Sequence, residues 1–271
     1  MPGLSGGNPG LRRVAESVLP TVRLCTERLF YLITKIVALE GHQGEFIRMP
    51  TNLVNDDVLE QVREVFKGLT GPVEVLFFGQ EKEDCPYCED ALQLVQEVAG
   101  LSGLLRVHRY DLGRDTAIAR QYKVDKAPGL VIAGRDGEQV LDFGIRFAGI
   151  PAGHEFTSLV YSLLLVSNKN SELEQPTRDF LASLKEPVHL QVFVTPTCPY
   201  CPRAVVLAHR MALESPLVEA EMVEAMEFPE LSRKFNVGGV PQTTINQGAG
   251  TVIGAMPEDH LVAEIRRALT N

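Results

Sequence analysis

Apolar positions along the chain fall into short β-rich runs separated by amphipathic stretches. Val58, Leu59, Val62, Val65 and Phe66 recur at helical spacing after Asn55 and Asp56, residues suited to capping a helix. An apolar run at 73–78 predicts a strand, and a helix opens at the cysteines that follow, with Leu92, Val95 and Val98 on one face. A strand at 104–111 and a short helix at 116–122 come next. The runs 130–133 and 139–143 then pair as a hairpin across Asp136-Gly137, a strong turn signal. An apolar helix near 156–165 closes this half. The same order returns: a helix at 177–184, a strand at 188–194, a helix after Pro199, a strand at 218–223, a short helix at 229–235, a hairpin within 243–252 and a helix at 258–269.

The repetition extends to residue identity. Cys85-Pro86-Tyr87-Cys88 and Cys198-Pro199-Tyr200-Cys201 each follow a strand-like run. Pro128 lies 43 positions after Cys85, and Pro241 lies 43 positions after Cys198, each opening another β-rich run. Motif and spacing together mark a duplicated unit. The order β-α-β-α-β-β-α with a leading helix predicts an α/β fold of two tandem thioredoxin-like domains, each a central mixed sheet flanked by helices. We expect domain 1 over residues 49–168 and domain 2 over residues 169–271, with the polar segment 167–171 as their junction. Residues 1–48 have no counterpart in the second half. Val22, Leu29, Ile33 and Ile36 suit an amphipathic helix there, but the glycines before them suggest an extension of uncertain order. Met49, just ahead of the first duplicated element, leaves a downstream start as one reading of it.

The composition, 45% hydrophobic and 23% charged over 271 residues, is that of a globular protein. A net charge of −9 argues against nucleic acid or anionic membrane as partners. No apolar run is long enough to span a membrane, and the stretch 29–39 carries Lys35 and lacks a cleavage site, so a cytoplasmic location is expected. Four of the five cysteines form the two pairs, and Cys25 stands alone.

In a reducing compartment such pairs indicate redox catalysis or metal binding. Zinc ribbons place their pairs roughly 15–20 residues apart, whereas 110 positions separate Cys88 from Cys198. Redox chemistry needs a thiolate, and a helix N-terminus favours one through its unpaired N–H groups and dipole. The order strand, Cys, Pro puts Cys85 and Cys198 at that place, with Pro86 and Pro199 in the first helical turn. Cys88 and Cys201 lie about one turn on and are placed to resolve a mixed disulfide. Pro128 and Pro241, if cis, leave Ala127 and Val240 free to present backbone groups to an extended substrate. His154 reads as a structural residue and His209 as an ordinary exposed helix position. No metal site and no cofactor beyond the redox-active disulfides is expected.

The segments Thr195–Pro202, Phe147–Phe156 and Met222-Val223-Glu224-Ala225 resemble the tandem glutaredoxin-like protein disulfide oxidoreductases of thermophilic prokaryotes, from about residue 50 to the end. The resemblance implies reduction, formation or isomerisation of disulfides in protein substrates, with electrons supplied by a thioredoxin-reductase-like flavoenzyme. It also implies nucleophile roles for Cys85 and Cys198, resolving roles for Cys88 and Cys201, and cis-proline roles for Pro128 and Pro241.

The flanks differ. Glu81, Glu83, Asp84, Glu89 and Asp90 surround the first pair, while Arg203 follows the second. Carboxylates disfavour a neighbouring thiolate, so the first centre is expected to be the more reducing and the second the more reactive. Electrons would then pass from a reductase through Cys85/Cys88 to Cys198/Cys201. The alternatives are an electron-relay module between a flavin reductase and a peroxidase, although such modules usually keep one intact cysteine pair, or a metal- or iron–sulfur-binding scaffold using the four cysteines jointly. A chaperone-like peptide binder with incidental cysteines is a further class.

Overall fold

Two apolar runs, 73–79 buried from end to end and 188–194 buried except at the half-buried His189, become the central strands of their halves. The computed structural model describes residues 53–81 and 83–270, which lie in the compact unit Gly44–Asn271. The expectations for residues 1–48 and for Cys25 lie outside the described residues. The first half runs α1 (Asp56–Phe66), β1 (Val73–Gly79), α2 (Cys88–Ala99), β2 (Leu105–Asp111), α3 (Thr116–Gln121), β3 (Gly129–Asp136), β4 (Gln139–Ala148) and α4 (Glu155–Asn168). The second runs α5 (Gln175–Ser183), β5 (Val188–Val194), α6 (Cys201–Glu214), β6 (Val218–Glu224), α7 (Pro229–Lys234), β7 (Gln242–Ile245), β8 (Gly250–Ile253) and α8 (Glu258–Ala268).

Local chemistry accounts for the elements. The Asn55 side chain accepts from the Asp57 N–H at 2.7 Å and caps α1, which buries Val58, Val62 and Phe66 at successive i+4 positions. In α2 the buried face is Ala91, Leu94, Val95 and Val98; Leu92, expected there, is only half-buried. The Asp136-Gly137 turn joins β3 to β4, and Gly137 takes a positive φ of 56°.

Each half has the same mixed topology, and the two are fused into one eight-stranded sheet of order β2-β1-β3-β4-β6-β5-β7-β8. The join is a parallel pairing of β4 with β6, from Ile145 opposite Ala220 to Ala148 opposite Val223. It satisfies two edges that would otherwise present unpaired backbone groups. Gly144 allows the approach: with φ at 75°, its missing Cβ would sit 2.5 Å from the Val218 carbonyl oxygen. The segment 167–171 is tied down. The Ser167 hydroxyl donates to the Gly71 carbonyl at 2.6 Å, and the Arg210 guanidinium donates to the Ser171 and Glu172 carbonyls.

α4 and α6 pack together across the join. α4 is therefore buried nearly all round, and α6 buries a far wider face than an amphipathic surface helix does. This corrects the expectation for His209. It is fully buried, bonded through Nδ1 to the Ser162 hydroxyl at 2.8 Å and through Nε2 to the Arg146 carbonyl at 3.2 Å, with the Phe147 ring edge-on at 5.0 Å. Arg146 is also buried, and its guanidinium binds Asp142 through both carboxylate oxygens and the Tyr122 carbonyl.

Candidate active site

β1, β4, β5 and β6 all point the same way, so both Cys-Pro-Tyr-Cys motifs leave the same edge of the sheet. Four strand spacings separate β1 from β5, which puts the centres about 19 Å apart. Each pair is a disulfide, Cys85–Cys88 with Cα atoms 5.4 Å apart and Cys198–Cys201 with Cα atoms 5.5 Å apart.

The helices start later than expected. α2 begins at Cys88 and α6 at Cys201, so the first cysteine and its proline occupy the turn ahead of each helix, and it is Pro202 that sits in the first turn of α6. The second centre still feels the helix end, because the Cys201 N–H donates to Cys198 Sγ at 3.2 Å.

Both Ala127-Pro128 and Val240-Pro241 are cis. The Val240 carbonyl oxygen lies 3.8 Å from Cys198 Sγ. The two proline carbonyls are held alike, Pro128 by the Gly149 N–H and Pro241 by the Gly254 N–H, each at 2.8 Å.

The rims differ. Glu81, Glu83, Asp84, Glu89 and Asp90 are all exposed around the first centre, with Arg114 paired to Glu81 at 3.1 Å. The second has exposed Arg203, and exposed Tyr200, Met226, Ile253 and Met256 bring apolar surface to its side of the edge. The cysteine residues differ slightly in exposure. Cys198 is 8% exposed and Cys201 fully buried, whereas Cys85 is 1% exposed and Cys88 6%.

Sequence reasoning passed over a buried acid. The loop before α4 docks on the approach to Cys198: the His154 N–H donates to the Pro196 carbonyl at 2.9 Å, and Gly153, at φ 59°, leaves only 2.4 Å between its missing Cβ and that oxygen. Glu155 follows, fully buried, accepting from the Ser158 hydroxyl at 2.6 Å while its other oxygen has no hydrogen-bond partner. Burial pushes its carboxyl up to about 8, so it is neutral at pH 7. The available signal was an acid opening an otherwise apolar helix. A second carboxylate pair lies between the centres. Glu227 accepts from the Ile150 N–H at 2.7 Å and donates its own N–H to Glu224, and burial raises Glu227 to about 7.

Among the described residues no group of three or more His, Cys, Asp or Glu side chains is placed to hold a metal ion. Two cysteine pairs about 19 Å apart cannot share a metal that needs sulfur at about 2.3 Å. Nor does any described helix have the length and apolarity to cross a membrane. A thioredoxin-like fold bearing two disulfides beside cis-prolines defines the chain as a thiol–disulfide oxidoreductase.

A thioredoxin domain family model matches residues 188–267. A protein disulfide oxidoreductase from Aeropyrum pernix K1 superposes with a TM-score of 0.71 at 33% identity, covering 78% of this chain and 92% of that one. The NTD N/C domain of alkylhydroperoxide reductase AhpF from Enterococcus faecalis gives 0.71 at 27% identity, covering 78% and 99%. The alkyl hydroperoxide reductase AhpF of Staphylococcus epidermidis is 29% identical over 190 residues, 70% of this chain and 33% of that protein. The chain spans about a third of the length of the curated relatives it matches. It belongs to the tandem thioredoxin-like family that includes protein disulfide oxidoreductases.

Proposed function

We propose that the chain is a protein dithiol–disulfide oxidoreductase whose main working centre is Cys198/Cys201. The Cys198 thiolate attacks a substrate disulfide, and one substrate sulfur leaves as a thiolate and takes a proton. Cys201 then attacks Cys198 Sγ, releasing the second substrate thiolate and closing the Cys198–Cys201 disulfide. The substrate gains two electrons and the centre loses two. The observation that carries this reading is the set around Cys198 Sγ: the Cys201 N–H at 3.2 Å that favours its thiolate and the Val240 carbonyl at 3.8 Å, in a residue that keeps 8% of its surface exposed while Cys201 is fully buried. Val240-Pro241 offers backbone groups to an extended substrate, and Ala127-Pro128 has the same form at the first centre. The disulfides carry the chemistry without a bound cofactor, and a reducing, cytoplasmic setting suits paired catalytic cysteines.

Electrons would come from a flavoenzyme, a partner consistent with the similarity to the alkyl hydroperoxide reductase AhpF. That similarity also favours a second reading, a relay between a flavin reductase and a peroxidase. Cysteine-dependent NADH consumption in a reconstituted chain of reductase, this protein and peroxidase would distinguish it. The first reading is tested by insulin reduction with dithiothreitol. Cys198→Ser should lose most of the activity and Cys85→Ser keep most of it. An inactive wild type, or full activity in Cys198→Ser, overturns the reading.

A further inference from the structure

Because the unit is duplicated, each centre can be compared with its counterpart position by position. The Leu112 N–H donates to the Gly79 carbonyl at 2.8 Å and the Ala225 N–H to the Val194 carbonyl at 2.9 Å, so Gly113 and Met226 hold equivalent places. The Gly149 and Gly254 N–H groups bond the Pro128 and Pro241 carbonyls alike, and two residues further on Pro151 corresponds to Met256. The second centre therefore carries methionines where the first has a glycine and a proline.

Topology brings both methionines to the edge that bears Cys198. β6 is parallel to β5, and β8 runs the same way because each of the β5–β7 and β7–β8 pairings is antiparallel. Met226 lies two residues past β6 and Met256 three past β8. Their strands stand about 5 Å to one side of β5 and about 10 Å to the other. The Met256 N–H donates to the Gly254 carbonyl at 3.0 Å, which keeps this residue beside the Pro241 turn. Met226 is 76% exposed and Met256 44%, whereas Met211 and Met222 are fully buried. β8 is the last strand of the sheet, so no further strand covers its flank, while the equivalent β4 is paired with β6.

We propose that Met226 and Met256 are oxidation sites through which a hydroperoxide slows the second centre. The inference rests on the disulfide-exchange reading of Cys198/Cys201 and adds the surface that reading uses. Apolar side chains beside the substrate disulfide dock on the two methionines while the extended backbone meets Val240. An unbranched thioether adapts to varied apolar partners, and its sulfoxide is polar and no longer suits them. The methionine sulfur attacks one oxygen of hydrogen peroxide, the O–O bond breaks, and hydroxide leaves. That hydroxide takes the proton from the new S–OH group and becomes water. Each thioether loses two electrons and each peroxide gains two. The Cys198–Cys201 disulfide presents no thiolate to the oxidant, so the redox pair itself is spared.

The test uses the full chain carrying Cys25→Ser, kept in the disulfide form, treated with hydrogen peroxide and then cleared of it with catalase. Peptide mass spectrometry should find sulfoxide at Met226 and Met256 before Met211 and Met222. Insulin reduction should fall about tenfold in kcat/KM, as expected from forfeiting part of the transfer free energy of two methionine side chains. Iodoacetamide labelling of Cys198 in the reduced protein should be unchanged, because so small a probe needs no docking surface. Met226→Leu/Met256→Leu should reduce insulin equally before and after peroxide, and Met226→Gln/Met256→Gln should lack most of the activity without it. Insulin reduction that survives full sulfoxidation, or an equal peroxide loss in the leucine variant, overturns this inference alone. Slower labelling of Cys198 after peroxide would move the damage to the cysteines and also overturn it. An untreated protein that fails to reduce insulin sinks the protein-substrate reading itself.

Discussion

Glu155 gives the most quantitative handle on the fold around the second centre. Its carboxyl is fully buried at the start of α4, with one oxygen bonded to Ser158 and the other unpartnered. Raising a carboxyl from 4.5 to about 8 corresponds to about 5 kcal/mol of preference for the proton in the folded state. The unfolded chain binds that proton less tightly, so stability is fully present below about pH 4.5, falls as pH rises and levels off above about 8. His209 works in the opposite sense. Burial holds it down to about 3, so its contribution is present above its unfolded value of 6.5 and is lost as pH falls toward 3. Together the two place maximum stability between about pH 4.5 and 6.5.

Glu155→Gln keeps an acceptor for Ser158 and removes the titration. Its amide adds an unpaired buried donor costing about 1–3 kcal/mol, but at every pH alike. Urea unfolding at about pH 4.5 and 8.5 therefore reads a double difference free of that offset. Wild type should lose about 3–5 kcal/mol more than Glu155→Gln over that interval, while the acid limb below about pH 4.5, to which His209 and Asp142 both contribute, stays the same in both. Parallel curves for the two proteins would refute the neutral buried carboxyl.

Gly153→Ala combines a positive φ with a Cβ driven against the Pro196 carbonyl, and should cost about 2 kcal/mol or more in thermal or urea unfolding. Because Pro196 leads into Cys198, insulin reduction should slow while labelling of the first centre is unchanged. Arg146→Met strips the buried partner from Asp142, whose carboxyl that guanidinium holds below its usual range despite the opposing effect of burial. Urea unfolding should show a loss of about 3–5 kcal/mol, part of it recovered in Arg146→Met/Asp142→Asn.

Much of this architecture was legible because its signals are local. Asn55 ahead of a periodic run, Asp136-Gly137 between two apolar runs and the prolines at 128 and 241 each act on their immediate neighbours, and each element formed within a few residues of its expected place. What escaped depends on the join between the halves. β6 alternates Val218, Glu219, Ala220, Glu221 like a half-solvated edge, yet Glu221 is buried where Lys126 reaches it at 2.9 Å. His209 looked exposed because nothing in α6 itself announces that α4 will cover it. The difference between the centres was hidden by the very count that revealed the repeat. The 43-residue match runs downstream of each cysteine, whereas upstream Cys85 follows Phe78 by seven positions and Cys198 follows the equivalent Phe193 by five.

The spacing of the centres bears on how electrons can move. Disulfide exchange requires the attacking and attacked sulfurs to come within bonding distance, about 2 Å. Four strand spacings of a continuous sheet hold these pairs about 19 Å apart, with the cis-Pro128 turn and the Glu224–Glu227 pair packed between them. No rotation of a side chain closes such a gap, and the β4–β6 pairing opposes a hinge between the halves. The passage expected from the charge difference, from Cys85/Cys88 to Cys198/Cys201, then has to be carried across that gap. Electrons cross only on a dithiol carrier that visits both, or between molecules. Each centre then meets its partners separately, and an acidic approach to one beside an apolar approach to the other can select different partners at the two ends of one rigid sheet edge.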